Sequence, residues 1–505
     1  MLDATPLLRV YARRRLAHLA RQDAVDAQRQ ELLRLVRAAR ETRFGKAHGF
    51  SEILGVPEFQ ARVKLRRWED FWREWWAEDF PRLVDVSWPG TIPCFANTSG
   101  TSGGTTKRIP VSRAMLRANR RAALEVLVFH IANRKRSRVL AGRNFLLGGS
   151  TALERLAPGI TAGDLSGIAA ADIPFWARSR TFPPRDLALM ADWERKIASV
   201  APLSLERTIT SISGTPSWLL LFFAELAKIR PGARLADLYP ALELLVHGGV
   251  GFAPYRSSFA AWLEGSGAET REVYAASEGF PAIADRGDGE GMRLLLDNGI
   301  FYEFVRPEDV GAVAPERRWI ADAEPGVEYA LVLSTNAGLW SYVLGDTVRL
   351  VTCDPPRLMV SGRLGWSLSL AGEHLIGAEL DAGVAEAATK LGGSVADYAA
   401  AALPPDTSDA RAGHLFIVEF SGADRPDAVA FATALDAALA RANDDYAAHR
   451  AGGFGLRTPR VALVPPGTFA AWMESRGRLG GQNKVPRVIT DPALLADLLR
   501  FTGAG

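Results

Sequence analysis

The chain is poor in several things, and each shortage narrows what it can be. It has only two cysteines, Cys94 and Cys353, with no CxxC pair and no Cys/His cluster. That disfavours a disulfide framework and a structural zinc site, and it makes a reducing compartment the default expectation. Net charge is also small: 60 basic against 57 acidic side chains leave +3, so no strong field recruits nucleic acid or an anionic membrane. Long apolar runs are missing too. The longest, Trp218 to Ala224, falls far short of the ~20 residues that cross a bilayer. The first twenty residues carry arginines and a helical apolar spacing but no signal-peptide core; they resemble a transit peptide only faintly and read as a surface helix. The expectation is a cytoplasmic protein with no nucleic-acid or membrane partner, monomeric or weakly dimeric.

Lysine is scarce as well. Only eight occur (46, 64, 107, 135, 196, 228, 390, 484), against 52 arginines. An Ala/Arg/Gly-rich bias of this kind looks like a GC-rich bacterial genome, and it gives each remaining lysine some claim to being selected for a task. What is present in quantity is core-forming material. With 505 residues, 48% hydrophobic and 23% charged, the chain is long enough for two to four domains and is not disordered.

Residues 1–90 read as helices. Trp68, Trp72, Trp75 and Trp76 fall at i, i+4, i+7 and i+8, one face of a helix, which is either buried against the domain or an exposed aromatic platform. From Pro93 the texture changes to short apolar runs, glycine turns and intervening helices. Ile109–Val111 reads as a strand, Ser112 as the cap of a helix to about Arg134, and Thr215-Pro216 as the start of a helix to Ile229. Leu242–Val246, Arg271–Tyr274, Tyr329–Ser334, Trp340–Val343 and Val348–Val351 read as strands. Beyond Gly362-Arg363 the pattern restarts with a strand at Leu415–Phe420, a helix over Asp427–Arg450, a strand at Val461–Val464, and helices Thr468–Ser475 and Pro492–Phe501. Alternation of strands and helices argues for an α/β core, and the restart for two domains, 1–362 and 363–505, the second a small α+β unit.

The strongest local signal is Asn97-Thr98-Ser99-Gly100-Thr101-Ser102-Gly103-Gly104-Thr105-Thr106-Lys107. Glycines let the backbone approach a polyanion and turn N–H groups inward, hydroxyls donate, and lysine supplies a point charge. The competing reading is a flexible turn between two strands. Two familiar motifs nearly match. A P-loop requires lysine directly after its last glycine, but two threonines separate Gly104 from Lys107. Gly100 to Gly104 satisfies the hydrolase elbow G-x-S-x-G, yet that elbow opens a helix, and Lys107-Arg108-Ile109-Pro110-Val111 reads as a strand. Further pieces lie downstream: Tyr274-Ala275-Ala276-Ser277-Glu278-Gly279, then Tyr342-Val343-Leu344-Gly345-Asp346, then Gly480-Gly481-Gln482-Asn483-Lys484. Taken singly, a strand-end Glu or Asp is more often a turn former or a cap.

In this order the segments resemble the adenylate-forming enzymes, and within them the Gretchen Hagen (auxin-responsive) acyl-acid amido synthetases, bacterial branch. The family's Ser-Ser-Gly-Thr-Ser-x-Gly-x-x-Lys is matched by Thr98 to Lys107, with threonine first. Tyr-x-x-Ser-Glu is met by Tyr274, Ser277 and Glu278. Tyr-Arg-x-Gly-Asp-x-Val appears as Tyr342 to Val348, with Val343 in the arginine's place, and Gln-x-Lys-x-Pro-Arg as Gln482 to Arg487. Where plant members carry a lysine near the domain hinge, this chain has Gly372-Glu373-His374. His374 is therefore either a phosphate contact or a solvated hinge residue.

The resemblance implies a large N-terminal domain of mixed β-sheets flanked by helices and a small mobile α+β C-terminal domain. It implies an enzyme in which a small carboxylic acid attacks the α-phosphate of ATP, releasing pyrophosphate, after which an amine, an amino acid first among them, displaces AMP. Such chemistry rests on positioning and charge neutralisation rather than on a protein nucleophile. By the same resemblance, Thr98, Ser99, Gly100, Thr101, Ser102, Gly103 and Lys107 hold the β- and γ-phosphates. Gly248 and Gly249 wall the adenine on which Tyr274 stacks, beside Ala275. Ser277 bonds the α-phosphate, Glu278 holds Mg²⁺, Asp346 accepts the ribose hydroxyls with Arg363 beside it, and Lys484 neutralises the reacting groups. The helix that follows the first motif (Met115, Ala122, Val126, Phe129) either lines the acyl pocket or is an amphipathic core face. The alternatives are an acyl-CoA ligase with the same first step and a non-catalytic acyl-nucleotide-binding protein.

Overall fold

In the computed structural model of this protein, the apolar spacing of the N-terminal stretch resolves into helices Thr5–Leu19, Ala24–Ala39, Arg43–Ala47 and Val56–Arg62. The structure describes residues 2–503 other than 99–106, 149–152, 175–176, 191–192, 288, 365–367, 369–374, 404–411, 423–424, 444–445, 448–449, 451–455 and 479–483. Local chemistry sets the helix starts. Asp23 accepts from the Asp26 N–H at 2.8 Å, and Ser112 accepts from Met115 N–H at 3.0 Å to open Arg113–Asn133, as N-cap side chains do. The tryptophan stripe faces inward: Trp68 and Trp76 are buried, and Trp72 and Trp75 pack partly buried against the same core. It does not keep one helical period. A single α-turn, Trp68–Phe71, passes into a π-turn, Trp72–Trp76, closed by Ala77 N–H to Trp72 O at 2.9 Å, which rotates the later rings relative to an ideal α-helix.

The chain divides into two compact units. The first comprises Met1–Thr215, Ala236–Gly249 and Ser266–Met359; the second comprises Pro216–Leu235, Val250–Gly265 and Val360–Gly505. The first unit is built on a 12-stranded mixed sheet. One half is antiparallel: Ile300–Val305, Glu328–Thr335 and Tyr342–Cys353 pair in succession. The other half is parallel: Arg143–Leu147, Ile209–Gly214, Leu244–Gly248 and Glu269–Ala276 lie side by side. The strand Glu269–Ala276 belongs to both halves, since Gly279–Ile283 returns antiparallel to it. A separate 4-stranded sheet carries Cys94–Thr98 paired with Lys107–Val111. Lys107–Val111 being a strand removes the hydrolase elbow, as its proline and β-branched residues suggested.

Two elements depart from the sequence reading. Trp340–Val343 and Val348–Val351 were expected as two strands with Asp346 past the end of the first. They are one strand, Tyr342–Cys353, with a bulge: Val343 pairs with Val332 and Thr347 with Ala330. Gly345, at φ +93°, absorbs the irregularity, so Asp346 stands mid-strand on a re-aimed backbone. The helix expected over Asp427–Arg450 ends at Ala442, with Asp427 as its N-cap and Asn443 as its C-cap.

The second unit centres on a 4-stranded sheet in which Val395–Leu403 and Gly413–Phe420 are antiparallel neighbours. The period-two alternation of a strand is visible in its two cores. Tyr398, Ala400, Phe416 and Val418 face one core with helices Gly377–Lys390 and Ala428–Ala442; Ala399, Ala401, Leu415 and Ile417 face the other with Thr468–Ser475 and Pro492–Thr502. Helix Pro216–Ile229 joins this unit through ring contacts of Phe223 with Phe259 and Trp262.

Candidate active site

Open sheets with parallel strands offer ligands the crevice outside the strands' carboxyl ends. Here those ends carry Gly148, Gly214, Gly248-Gly249 and the turn Ala276–Gly279. The two glycines at the end of Leu244–Gly248 answer different needs. A Cβ on Gly248 would collide with the Val273 carbonyl of the neighbouring strand, and Gly249 sits at φ +84°. Both keep the backbone tight beside Tyr274.

The next strand ends in a two-residue hairpin turn. Ala276 pairs with Gly279, leaving Ser277 and Glu278 at the tip. A solvated turn would expose such residues, but each is only 6% accessible. Burying a carboxylate is costly unless it is bonded, and Glu278 Oε1 accepts from Tyr342 Oη at 3.2 Å. In the same region Tyr274 Oη donates to Asp346 Oδ2 at 2.6 Å. The second and third motifs therefore cross-bond, a tyrosine of each holding a carboxylate of the other. Ala275 lies between them on the Tyr274 strand. Glu278 offers hard oxygen donors, and a carboxylate has about four acceptor positions; the group suits Mg²⁺.

Tyr342 is itself tightly placed. Ser341 before it adopts φ +46°, a conformation costing a non-glycine residue of order 1–3 kcal/mol. Arg317 Nη2 donates to Ser341 Oγ at 2.6 Å, Ser341 Oγ donates to Glu303 Oε2 at 3.2 Å, and Ser334 Oγ accepts the Ser341 N–H at 2.9 Å. Arg317 and Glu303 form a buried bidentate pair. On the other side Arg66 bridges the strand: its N–H donates to Ser341 O at 3.0 Å and its carbonyl accepts from Val343 N–H at 2.9 Å.

That bridging segment continues to the first motif. Trp68 Nε1 donates to Arg108 O at 3.2 Å, and Glu69 pairs with Lys107 Nζ at 2.7 Å while the ammonium lies 5.9 Å from the centre of the Trp68 ring. Partial burial pushes the Glu69 carboxyl up, but the Lys107 hydrogen bond and charge outweigh it and leave it below the usual carboxylate range. Thr98 pairs with Lys107 across the hairpin, and Ser112 Oγ, just past the second strand, donates to Asn336 O in the loop before the Tyr342 strand. The flanks of the first motif, Thr98 and Lys107, are thus tied to the strand that carries Tyr342 and Asp346.

Ser99, Gly100, Thr101, Ser102 and Gly103 lie outside the described residues, as does His374. Arg363 closes the strand Pro356–Arg363, and Lys484 is an exposed residue before the strand Val488–Ile489; both belong to the second unit. Tyr342 was visible in a motif but not expected as the partner of Glu278. Glu69, Ser341, Arg317 and Glu303 carried no sequence signal, because their roles arise from contacts between distant segments. Met115, Ala122, Val126 and Phe129 are buried in core clusters.

Three family models match in chain order: the GH3 family N-terminal domain over residues 13–150, its central domain over 293–363 and its C-terminal domain over 378–493. The chain belongs to the GH3 family. Among curated GH3 relatives, the indole-3-acetic acid-amido synthetase GH3.8 of Oryza sativa subsp. indica is 28% identical over 242 residues, 44% of this chain and 39% of its own length. The corresponding GH3.4 of Arabidopsis thaliana is 27% identical over 240 residues, 43% and 39%. The sequence match thus spans about two fifths of each of these relatives. Structural likeness reaches further: the AtGH3.15 acyl acid amido synthetase in complex with 2,4-DB superposes with a TM-score of 0.78 at 18% identity over 96% of this chain and 95% of that one. A 2-hydroxyisobutyryl-CoA ligase in the postadenylation state gives 0.63 at 16% identity, covering 94% and 91%. The fold of this GH3 protein is that of the adenylate-forming enzymes.

Proposed function

We propose that this GH3 protein is an ATP-dependent acyl-acid amido synthetase, a ligase that forms carbon–nitrogen bonds. In the first half-reaction a carboxylate oxygen of a small acid attacks the α-phosphorus of ATP and pyrophosphate leaves. In the second, the nitrogen of an amine, an amino acid first among candidates, attacks the acyl carbon; AMP departs, and the amine loses a proton. The reading is supported above all by one observation: the Tyr274–Asp346 and Tyr342–Glu278 hydrogen bonds bring two motifs some seventy residues apart to one place at a sheet's carboxyl edge.

Each residue then has a task. Thr98 to Gly103 and Lys107 cradle the outer phosphates and steady the departing pyrophosphate. Gly248 and Gly249 give adenine a backbone wall, with Tyr274 and Ala275 beside it. Ser277 donates to the α-phosphate, Asp346 accepts from the ribose, and Arg363 assists there. Lys484 neutralises the carboxylate and α-phosphate as charge builds. Mg²⁺, when bound at Glu278, neutralises phosphate charge. Residues 1–362 serve as the adenylating domain and 363–505 as a mobile lid. The arginine-rich, lysine-poor composition supports a bacterial branch, and the scarcity of cysteine supports a reducing, cytoplasmic location, with a monomer or weak dimer as the working state.

Acid-dependent exchange of pyrophosphate into ATP tests the first half-reaction. Exchange requiring Mg²⁺, abolished in Glu278→Ala and greatly slowed in Lys484→Ala, is expected; no exchange across aryl, indolyl and aliphatic acids would favour a binding protein. The named relatives include a CoA ligase, so the acceptor needs its own test. Adding amino acids or CoA to the preformed intermediate separates an amide product, expected here, from a thioester.

A further inference from the structure

Arg487 is the last residue of the C-terminal motif, and its side chain is only 14% exposed. Its guanidinium lies 4.5 Å from the Tyr398 ring centre and 5.7 Å from that of Tyr255. It donates to Asp397 Oδ1, to Tyr398 O at 2.8 Å and to Tyr255 Oη at 2.6 Å, and pairs with Asp381 Oδ1 at 3.5 Å. Asp381 is fixed in turn by Tyr398 Oη at 2.7 Å, and Gly251 is packed so closely that a Cβ there would strike the Asp381 carboxylate. The main chain is held as well: Ala400 N–H donates to Arg487 O at 2.8 Å, and the next two residues pair with Ala400 and Ala401.

Replacing a buried ion cluster with apolar side chains of similar volume is often neutral for stability. Holding a guanidinium in one geometry is what the two carboxylates, two rings and a carbonyl accomplish here, and a fork of donors does this where an ammonium cannot. Lys484 is exposed three residues upstream, and only Val485 and Pro486 intervene. Proline fixes its own φ and keeps the residue before it extended. The arm from Arg487 to Lys484 is therefore short and stiff.

We propose that Arg487 is the positioning residue for Lys484: its clamp by Asp381, Asp397, Tyr398 and Tyr255 sets where the Lys484 ammonium is presented for adenylation. The inference rests on the role given to Lys484 above. Tyr255 enters the clamp from the segment Val250–Gly265 of the same unit.

The test is pyrophosphate exchange by the full chain at saturating Mg-ATP, with an acid that supports wild-type turnover. Arg487→Met is expected to lower kcat about 10²-fold, the scale of a misplacement near 1 Å, with KM for ATP within about twofold. In the Lys484→Ala background the same substitution is expected to cost less than about threefold, because its effect runs through the missing ammonium. Tyr255→Phe, which deletes one hydroxyl and keeps the ring, is expected to give a smaller loss of about fivefold with the same dependence on Lys484, and it carries the test if Arg487→Met fails to fold. Equal losses in both backgrounds would overturn this inference and leave the ligase intact. Absence of exchange in the wild type would overturn both.

Discussion

Glu278 is a carboxylate buried at the tip of a two-residue turn, and it accepts a hydrogen bond from a tyrosine on another strand. If that bond aims the carboxylate at Mg²⁺, Tyr342→Phe removes about 1 kcal/mol of orientation. The expected result is a roughly fivefold higher Mg²⁺ requirement for exchange, read from a magnesium titration, with the fold unchanged by circular dichroism. A second residue-scale prediction concerns Lys196. Its ammonium is buried, donating to Gly148 O at 3.1 Å and Ala188 O at 3.0 Å. Desolvation lowers its pKa to about 8 from 10.5, against the attraction of Asp164. Between those two pH values the unfolded chain holds a proton that the folded chain has shed, so stability rises with pH across that window. Urea midpoints from pH 8 to 10.5 should show that rise in the wild type and lose it in Lys196→Met.

At the scale of elements, the strand Tyr342–Cys353 is where sequence and structure part most instructively. Its apolar residues read as two strands because Gly345 and Asp346 look like a turn, and no local pattern distinguishes a turn from a bulge within one strand. Pairing with Glu328–Thr335 decides it, and that is a long-range fact. The hairpin Ala276–Gly279 was legible, since a strand, a polar pair and a glycine define a turn by themselves. The Arg317–Glu303 pair that fixes Ser341 was not, since it joins residues chosen only by folding. With side-chain exposures of 7% and 0%, removing one partner leaves a buried charge. Arg317→Met is expected to lower unfolding stability by about 3–5 kcal/mol, measured by urea denaturation, and to depress exchange in the surviving folded fraction through Tyr342. Gly248→Ala should also destabilise, because a methyl there must push apart Leu244–Gly248 and Glu269–Ala276. Its effect should appear as a higher KM for ATP if that glycine walls the nucleotide, as proposed.

Over the whole molecule, four motifs spread from Thr98 to Arg487 carried the family reading, and the family models and fold agree with it. The order of motifs was legible because phosphate cradles and strand-end carboxylates have strong residue preferences. The composition of the second unit was not legible. Segments Pro216–Leu235 and Val250–Gly265 precede the strand of Tyr274, yet they group with the C-terminal residues. Ring packing of Phe223 on Phe259 holds the two segments to each other, and the Tyr255–Arg487 bond, which spans 232 positions, ties them to the C-terminal residues. The acyl pocket was not legible either, because an apolar helix face has the same sequence whether it lines a pocket or fills a core.

The central claim, that a substrate carboxylate is activated by adenylation, is tested most directly by isotope transfer. An acid labelled with ¹⁸O in its carboxylate is incubated with the enzyme, Mg-ATP and an accepted amine, and the products are weighed by mass spectrometry. The account predicts one ¹⁸O in the phosphate of AMP for each amide formed. Label in inorganic phosphate alongside ADP, or unlabelled AMP, would contradict it.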